Sequence, residues 1–554
     1  MKTEKAIPKK KKIPKIKEYK KSITIGGIIG TLAIAGLVIG IVIFPEASKR
    51  GRLIAGVSLD IHNIDTLLAH EDRYICNQIA ETLFENDYSG ATSRIIHNLA
   101  IGSDWSLNAT ELTCYLRDDV KFHDGTSFNA TAVKWNFDRI YNLIDLTVIF
   151  DYLFLFPDGR WIVNETRVLD EYTVKFVLNA PYVPFQQLLT HHSTGILSPT
   201  STPFNRTISK HTEKLIGTGP FIYGSYIPNV NLTLYPNQNY WGQKPKIDEF
   251  VVLIYSSGED LWNDFLGKEI DMLFPMFFTR NPNISINTLI TDPDFIIPET
   301  FSTNYRYIAM NNKLINLTMR KAISYAINYS YMVEEILPPA VRARSPIPEG
   351  ILYSNTTAFE VPNYNITKAR QILIDELGPF NSRVASLTAN ENITAGNEWE
   401  RLVTEGVEIA KYTLDYKPGH RVLEGLATPV PDNLKQIGIK VILSTNWSFP
   451  YQLFTSGWPY SYNDPHDAMI NYYSTTNWVQ LNDSYIDKWI EEGVKETNPN
   501  LRKQIYYKIQ ERVIEELYAY IWAFSARGSF VYVSDLRGWQ SNPFKLSLKT
   551  VYFV

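Results

Sequence analysis

Cysteine is nearly missing from this chain, with only Cys76 and Cys114 among 554 residues. A disulfide framework is therefore excluded, and the two are either one bridge or two buried thiols. Catalytic signatures are missing as well. The sequence has no G-x-S-x-G, H-E-x-x-H or C-x-x-C run and no phosphate-binding P-loop. Its nine histidines are scattered. The adjacent pair His191-His192 cannot place both rings on one side of a strand and reads as a polar loop. The 58 acidic residues contain nothing that selects two of them as a glycosidase pair. Charge bias is small, with a net charge of −4 and 45% hydrophobic residues, which excludes a nucleic-acid binder and a disordered chain.

Aromatic residues, in contrast, are plentiful at 13%, with 34 Tyr and 12 Trp. So is one apolar run. Ile23 to Phe44 carries no charge, and as a helix it measures about 33 Å against a hydrocarbon core of about 30 Å. Glycines 26, 27, 30, 36 and 40 would weaken such a helix in water but are tolerated in lipid. A cleaved signal peptide has a shorter apolar region and small residues at its cleavage site, whereas Pro45-Glu46-Ala47-Ser48 follows here. Ten lysines against Glu4 and Glu18 precede the run, and only Lys49, Arg50 and Arg52, offset by Glu46, lie just beyond it. The positive-inside rule then places residues 1–22 in the cytoplasm and the remainder outside, in a single-pass cell-membrane protein. Thirteen N-x-S/T sequons, from Asn108 to Asn482, agree with an extracellular location.

After a linker at 45–52, strand-like and helix-like stretches alternate. Strands are predicted at 53–59, 112–116, 173–178, 231–235, 250–255 and, fully buried, 439–443. Helices are predicted at about 70–85, from an Asn129 cap through Ile140, from a Thr318 cap through Met332 with Asn328 inside it, and at 487–494 and 502–518. Such alternation argues for an α/β fold. The 378–430 stretch, with Gly378, Gly396, Gly419 and Gly425, reads as a loop insertion.

Four blocks carry a resemblance: LRDDVKFHDGTSFNATAVKWNFDR (116–139), GTGPFIYGSYIPNVNLTLYPNQNYWGQKPKIDEF (217–250), YIAMNNKLINLTMRKAISYAINYSYMVEEI (307–336) and DNLKQIGIKVIL (432–443). In this order and spacing the chain resembles the family 5 extracellular solute-binding proteins of ABC importers, the dipeptide, oligopeptide and nickel-binding group. The resemblance implies a two-lobed, type II periplasmic-binding-protein-like fold. Its first lobe would hold residues 53–300 with an inserted subdomain at about 88–200, its second lobe 301–500, and 501–554 would return to the first.

One stretch then stands out, Ser456-Gly457-Trp458-Pro459-Tyr460-Ser461-Tyr462-Asn463-Asp464-Pro465. In the resembled family a Gly-Trp-x-x-Asp run lines the cleft, and Gly457 and Trp458 match it. Peptide-binding members hold the ligand's α-amine with the Asp, but Ser461 occupies that position and supplies no charge. Pro459 has no N–H to offer a ligand. Trp458, Tyr460, Tyr462 and Trp447 suit stacking on a flat face such as a sugar ring. The expected site is thus Gly457, Trp458, Tyr460, Ser461, Tyr462 and Trp447, with no catalytic residue, metal or cofactor.

The function expected is capture of a peptide or oligopeptide, or alternatively an oligosaccharide, by a membrane-anchored monomer that delivers it to an ABC permease. From other classes, a glycan-acting ectoenzyme would show turnover, and a surface glycoprotein without ligand binding would show no ligand-linked stabilisation.

Overall fold

A computed structural model describes residues 51–554 apart from 70–71, 90–92, 144–150, 157, 275–286, 299–302, 337–339, 389–396, 448, 527–529, 541 and 543–544. The lysine-rich tail, the span expected at 23–44 and the linker up to residue 50 lie outside the described residues. Among the described residues no helix is long and apolar enough to cross a membrane.

The chain opens on β1 (Arg52–Val57), followed by a hairpin of β2 (Phe84–Asp87) and β3 (Arg94–His97). Next come β4 (Ala100–Trp105), β5 (Glu111–Leu116), β6 (Val163–Asp170) and β7 (Thr173–Leu178). They are followed by β8 (Phe221–Ile227), β9 (Asn231–Pro236), β10 (Glu249–Ile254), β11 (Met272–Leu273) and β12 (Phe295–Ile296). A second group comprises β13 (Asn304–Met310), β14 (Ala340–Arg342), β15 (Ala410–Asp415), β16 (Ile439–Ser444), β17 (Leu453–Pro459) and β18 (Tyr520–Ala526). The chain closes on β19 (Val531–Val533) and a small pair, β20 (Leu536–Arg537) and β21 (Tyr552–Phe553).

Two sheets organise these strands. The first has the order β12-β19-β11-β1-β10-β9-β8, and the second β14-β18-β13-β17-β15-β16. β1 runs parallel to both β10 and β11 at the centre of the first sheet. Parallel strands are covered on both faces, which is why the run Phe250-Val251-Val252 is apolar at every position and buried. Each such side chain contributes about 1.5–3 kcal/mol of transfer free energy. The chain passes to the second sheet between β12 and β13 and returns between β18 and β19. The second sheet has a core on each face, one around Ile308, Ile323 and Trp399 and one around Tyr305, Tyr472 and Tyr506.

Between β1 and β8 lies an inserted subdomain, a four-stranded sheet in the order β4-β5-β7-β6 with the helix Ala130–Leu143 packed on it. Asn129 caps this helix by accepting from Ala132 N at 3.0 Å. Arg139 of the helix and Asp65 form an ion pair with side chains 2% and 0% exposed. Asp65 also accepts from Ile208 N at 2.9 Å and Leu67 N at 3.1 Å, so the buried charge is hydrogen-bonded on several sides. The Gly-Thr-Gly-Pro block follows for a steric reason. A Cβ on Gly217 would lie 2.2 Å from Ile79 O, and Gly219 N donates to that carbonyl at 2.8 Å.

Of the two states open to the cysteines the structure has two free buried thiols, Cys76 in the core of the first sheet and Cys114 in that of the subdomain. Several expectations need correction. His191 and His192 are buried with ring centroids 4.0 Å apart, because a 3₁₀ turn at His192–Thr194 replaces the expected polar loop. Asn328 is not inside a helix: Ile327 is extended, and Asn328 caps a new turn by accepting from Tyr331 N at 3.2 Å. Asn316, rather than Thr318, caps the preceding helix, accepting from Met319 N at 2.9 Å.

The glycine-containing stretch at 378–430 is not a bare insertion. It carries β15, which runs parallel to both β16 and β17. β16 is an edge strand with Ile442 and Leu443 exposed, not a buried one. The return to the first lobe also comes later than 501. The helix Pro499–Glu511 packs on Ser484–Gly493, and β18 pairs with β13 in the second sheet.

Candidate functional site

The second sheet has one edge next to the two chain crossings. β13 begins there and β18 ends there. β17 is antiparallel to β13, with Tyr305 opposite Trp458, Arg306 opposite Gly457 and Asn304 opposite Pro459. β15 and β16 run parallel to β17 and point the same way, β15 ending with Asp415 opposite Phe454, nearer the start of β17 than its carboxyl end at Pro459. Open α/β sheets bind ligands outside such carboxyl ends. Gly457 and Trp458 therefore occupy the position where a ligand site is expected.

The loop beyond β17 is built around Asp467. Its Oδ2 accepts from Ser461 N at 2.8 Å and from the Trp458 indole Nε1 at 3.2 Å. Asp467 is 4% exposed, and burial raises its carboxyl to about 7 against the pull of those two donors. The indole is tethered by its nitrogen, and Trp458 remains partly exposed, as does Ser461.

Tyr460 and Tyr462 take different positions from Trp458. Each is buried at 4% exposure. Tyr460 N extends the strand pairing to Thr303 O at 2.8 Å, and its hydroxyl donates to Pro346 O at 3.0 Å. Tyr462 packs into the subdomain core, with its hydroxyl 3.3 Å from that of Tyr182. Trp447 is partly buried, donates to Tyr416 O at 3.1 Å and meets Tyr451 with centroids 5.5 Å apart. The structure thus gathers Gly457, Trp458 and Ser461 at the sheet edge, while Tyr460 and Tyr462 fill cores beside it.

The same loop joins the second sheet to the inserted subdomain. Asn463 donates to Ser93 Oγ at 2.7 Å and accepts from Leu352 N at 2.9 Å. Val183 N donates to Val494 O at 2.8 Å. Asp464 and Arg502 form a bidentate pair at 2.6 and 2.9 Å, side chains 1% and 4% exposed. Asp464 also accepts from His466 N at 2.9 Å. Burial holds the His466 imidazole down to about 4, so it is neutral at pH 7 while its ring meets Tyr182 edge-on at 5.4 Å.

Sequence reasoning missed Asp467, Arg306 and the Tyr182–Tyr462 contact. Arg306 did leave a signal, as the single charge in the strand Asn-Tyr-Arg-Tyr-Ile-Ala-Met. Asp467 lies six residues past Ser461, and only the fold brings its carboxylate back to that backbone.

Comparison with known proteins agrees with this architecture. Residues 94–480 match the model of the bacterial extracellular solute-binding proteins, family 5 (middle region). The glutathione-binding protein GsiB of Pectobacterium atrosepticum is 23% identical over 516 residues, covering 87% of this chain and 90% of that protein. The probable D,D-dipeptide-binding periplasmic protein DdpA of Escherichia coli is 25% identical over 468 residues, covering 80% and 82%. A dipeptide-binding protein from Pseudoalteromonas sp. SM9913, solved in complex with Met-Leu, superposes with a TM-score of 0.66. It is 19% identical and covers 91% of this chain and 100% of that one. The chain belongs to the bacterial extracellular solute-binding proteins of family 5, a family of binding proteins and not of enzymes.

Proposed function

We propose that the chain is the membrane-anchored receptor of an ABC importer, which captures a short peptide or glutathione-like solute between its two lobes. The apolar run at 23–44 serves as the anchor, with residues 1–22 cytoplasmic and the lobes outside. Capture takes place at Gly457, Trp458 and Ser461, and Trp447, Tyr460 and Tyr462 shape the walls behind them. Closure of the lobes on the solute presents a surface to the permease, so ligand and transport are linked through a population shift.

The observation that carries this reading is the placement of Gly457 and Trp458 at the sheet edge beside both crossings. The glutathione and D,D-dipeptide for which the similar proteins are named support a peptide over other solutes. An oligosaccharide is the second reading, favoured by Ser461 where peptide-binding members carry Asp and by the partly exposed Trp458 ring.

Mass spectrometry of small molecules that co-purify with the full chain tests the proposal, followed by isothermal titration with the compounds found. Peptides or γ-glutamyl peptides at one per chain are expected. Sugars alone would transfer the proposal to the second reading. A chain that binds neither class, with no ligand-linked rise in its unfolding midpoint, would refute capture altogether.

A further inference from the structure

The inserted subdomain has a groove between the helix Ala130–Leu143 and β6. It holds about 450 Å³ of empty space, within the range of small-molecule sites, and is walled by Phe137, Ile140, Tyr141, Phe154, Trp161 and Val163. The wall is aromatic on its open side. Tyr141 is 57% exposed and stacks on Trp161, with ring centroids 4.2 Å apart and planes at 24°. The polar rim is nearly all answered: Asp138 pairs with Lys134 at 2.8 Å, Glu165 pairs with Arg167 at 2.7 Å, and Thr166 is buried. Asn164, the remaining polar residue of the rim, is exposed.

Asn164 begins the sequon Asn164-Glu165-Thr166. Several other sequons use their asparagine differently. Asn231 is buried, and Asn129, Asn316, Asn328 and Asn365 accept backbone N–H groups as caps of helical turns. Asn164 sits instead in a β-bulge. Val163 lies opposite Leu178 and Glu165 opposite Val177, so Asn164 is the extra residue between two pairs. Val163 and Thr166, opposite the buried Leu178 and Phe176, face the helix. β6 is also an edge strand of its sheet, with Val168 and Leu169 exposed beyond the bulge. An apolar wall and a bare strand edge thus flank one modifiable amide, and a covalently held sugar there covers both.

We infer that Asn164 carries an N-linked glycan whose first ring lies in this groove against Tyr141 and Trp161. The C–H face of the sugar suits the aromatic wall, and its hydroxyls stay in water. The co-reactant is a lipid-linked sugar phosphate, used by a membrane transferase. The bond from the anomeric carbon to the donor's phosphate oxygen breaks, and the lipid phosphate leaves with the bonding electrons. The anomeric carbon bonds to Asn164 Nδ2, which releases one proton. Thr166 is 3% exposed in the folded protein, so transfer precedes the pairing of β6 with β7. Held there, the glycan screens the β6 edge from pairing with another copy. This assignment rests on the placement of the lobes outside the cell.

The test takes the full chain from the membranes of the cells that make it and maps its glycopeptides by mass spectrometry. The peptide holding Asn164 should carry hexose or N-acetylhexosamine mass, and Asn164→Gln should lose that mass while remaining folded. Hydrogen exchange then reads the groove. Amides of β6 and of the helical turn at Tyr141 should exchange about three- to tenfold faster in Asn164→Gln than in the parent. Should Asn164→Gln not fold, glycosidase trimming of the folded parent supplies the same comparison. An unmodified Asn164 beside modified exposed sequons elsewhere, such as Asn205 or Asn482, would overturn the assignment and leave the external placement standing. If no sequon is modified, the assignment falls and the external placement loses the support of the sequons. A glycan on Asn164 with equal exchange in parent and variant would overturn its seat in the groove.

Discussion

Replacing Asp467 by Asn should stabilise the protein in alkali and much less in acid. The carboxyl is 4% exposed, and burial raises it to about 7 from an ordinary value of 3.8. Between pH 4 and 7 the unfolded chain gives up this proton and the folded chain keeps it. Stability is therefore fully present below pH 4, falls as pH rises through this window and levels off above 7. With the folded group near 7 and the free one near 4, the whole cost of ionisation is about 4 kcal/mol. About 3 kcal/mol of it falls between pH 5 and 8. Asn never ionises, and its carbonyl still accepts from Ser461 N and Trp458 Nε1. Unfolding about 500 residues carries an entropy of about 1 kcal/mol per degree, so each kcal/mol shifts the midpoint by about 1 °C. Scanning calorimetry of parent and Asp467→Asn should show a midpoint gap that widens by about 3 °C from pH 5 to pH 8. A gap that stays constant or narrows would refute the idea that this carboxylate is held uncharged by burial.

Other substitutions read other parts of the molecule. Asp464→Ala strands Arg502 without its partner and should cost about 3–5 kcal/mol in urea titrations. Tyr462→Ala, by emptying a place in the subdomain core, should cost about 3 kcal/mol even with no ligand present. Trp458→Ala should instead weaken Met-Leu binding about tenfold in isothermal titration, with little change in the unfolding midpoint. Neither Cys76 nor Cys114 should react with a thiol reagent in the native protein, and both should react in guanidinium. Mass spectrometry that finds the two joined would contradict the placement of these thiols in separate cores.

How much of this was legible in the sequence depended on the range of the interactions involved. Strand Thr173–Leu178 could be read directly, since Val174, Phe176 and Leu178 alternate with outward residues and only one face is buried. Asn129 was legible as a cap because capping is settled within three residues. β15 was hidden: Ala-Lys-Tyr-Thr-Leu-Asp is a weak pattern, made a strand by two parallel partners from later in the chain. The aromatic loop was half legible. Gly457 and Trp458 could be picked out by their spacing ahead of Asp464-Pro465, but whether Tyr460 and Tyr462 line a cleft or fill a core depended on Pro346 and Tyr182, far away in sequence. The charge at Ser461 looked simply absent, because nothing local shows Asp467 folding back beneath that backbone.

The position of β19 sets an order on how the molecule is made. This strand, from the last twenty-four residues, lies between β11 and β12 and is paired to both. A ribosome that has released everything through β18 has supplied all six strands of the second sheet, while the sheet that began with β1 still has a gap in it. The half encoded first is thus the half finished last, and a nascent chain stalled near residue 526 would expose the edges of β11 and β12 to whatever chaperone or neighbouring strand meets them.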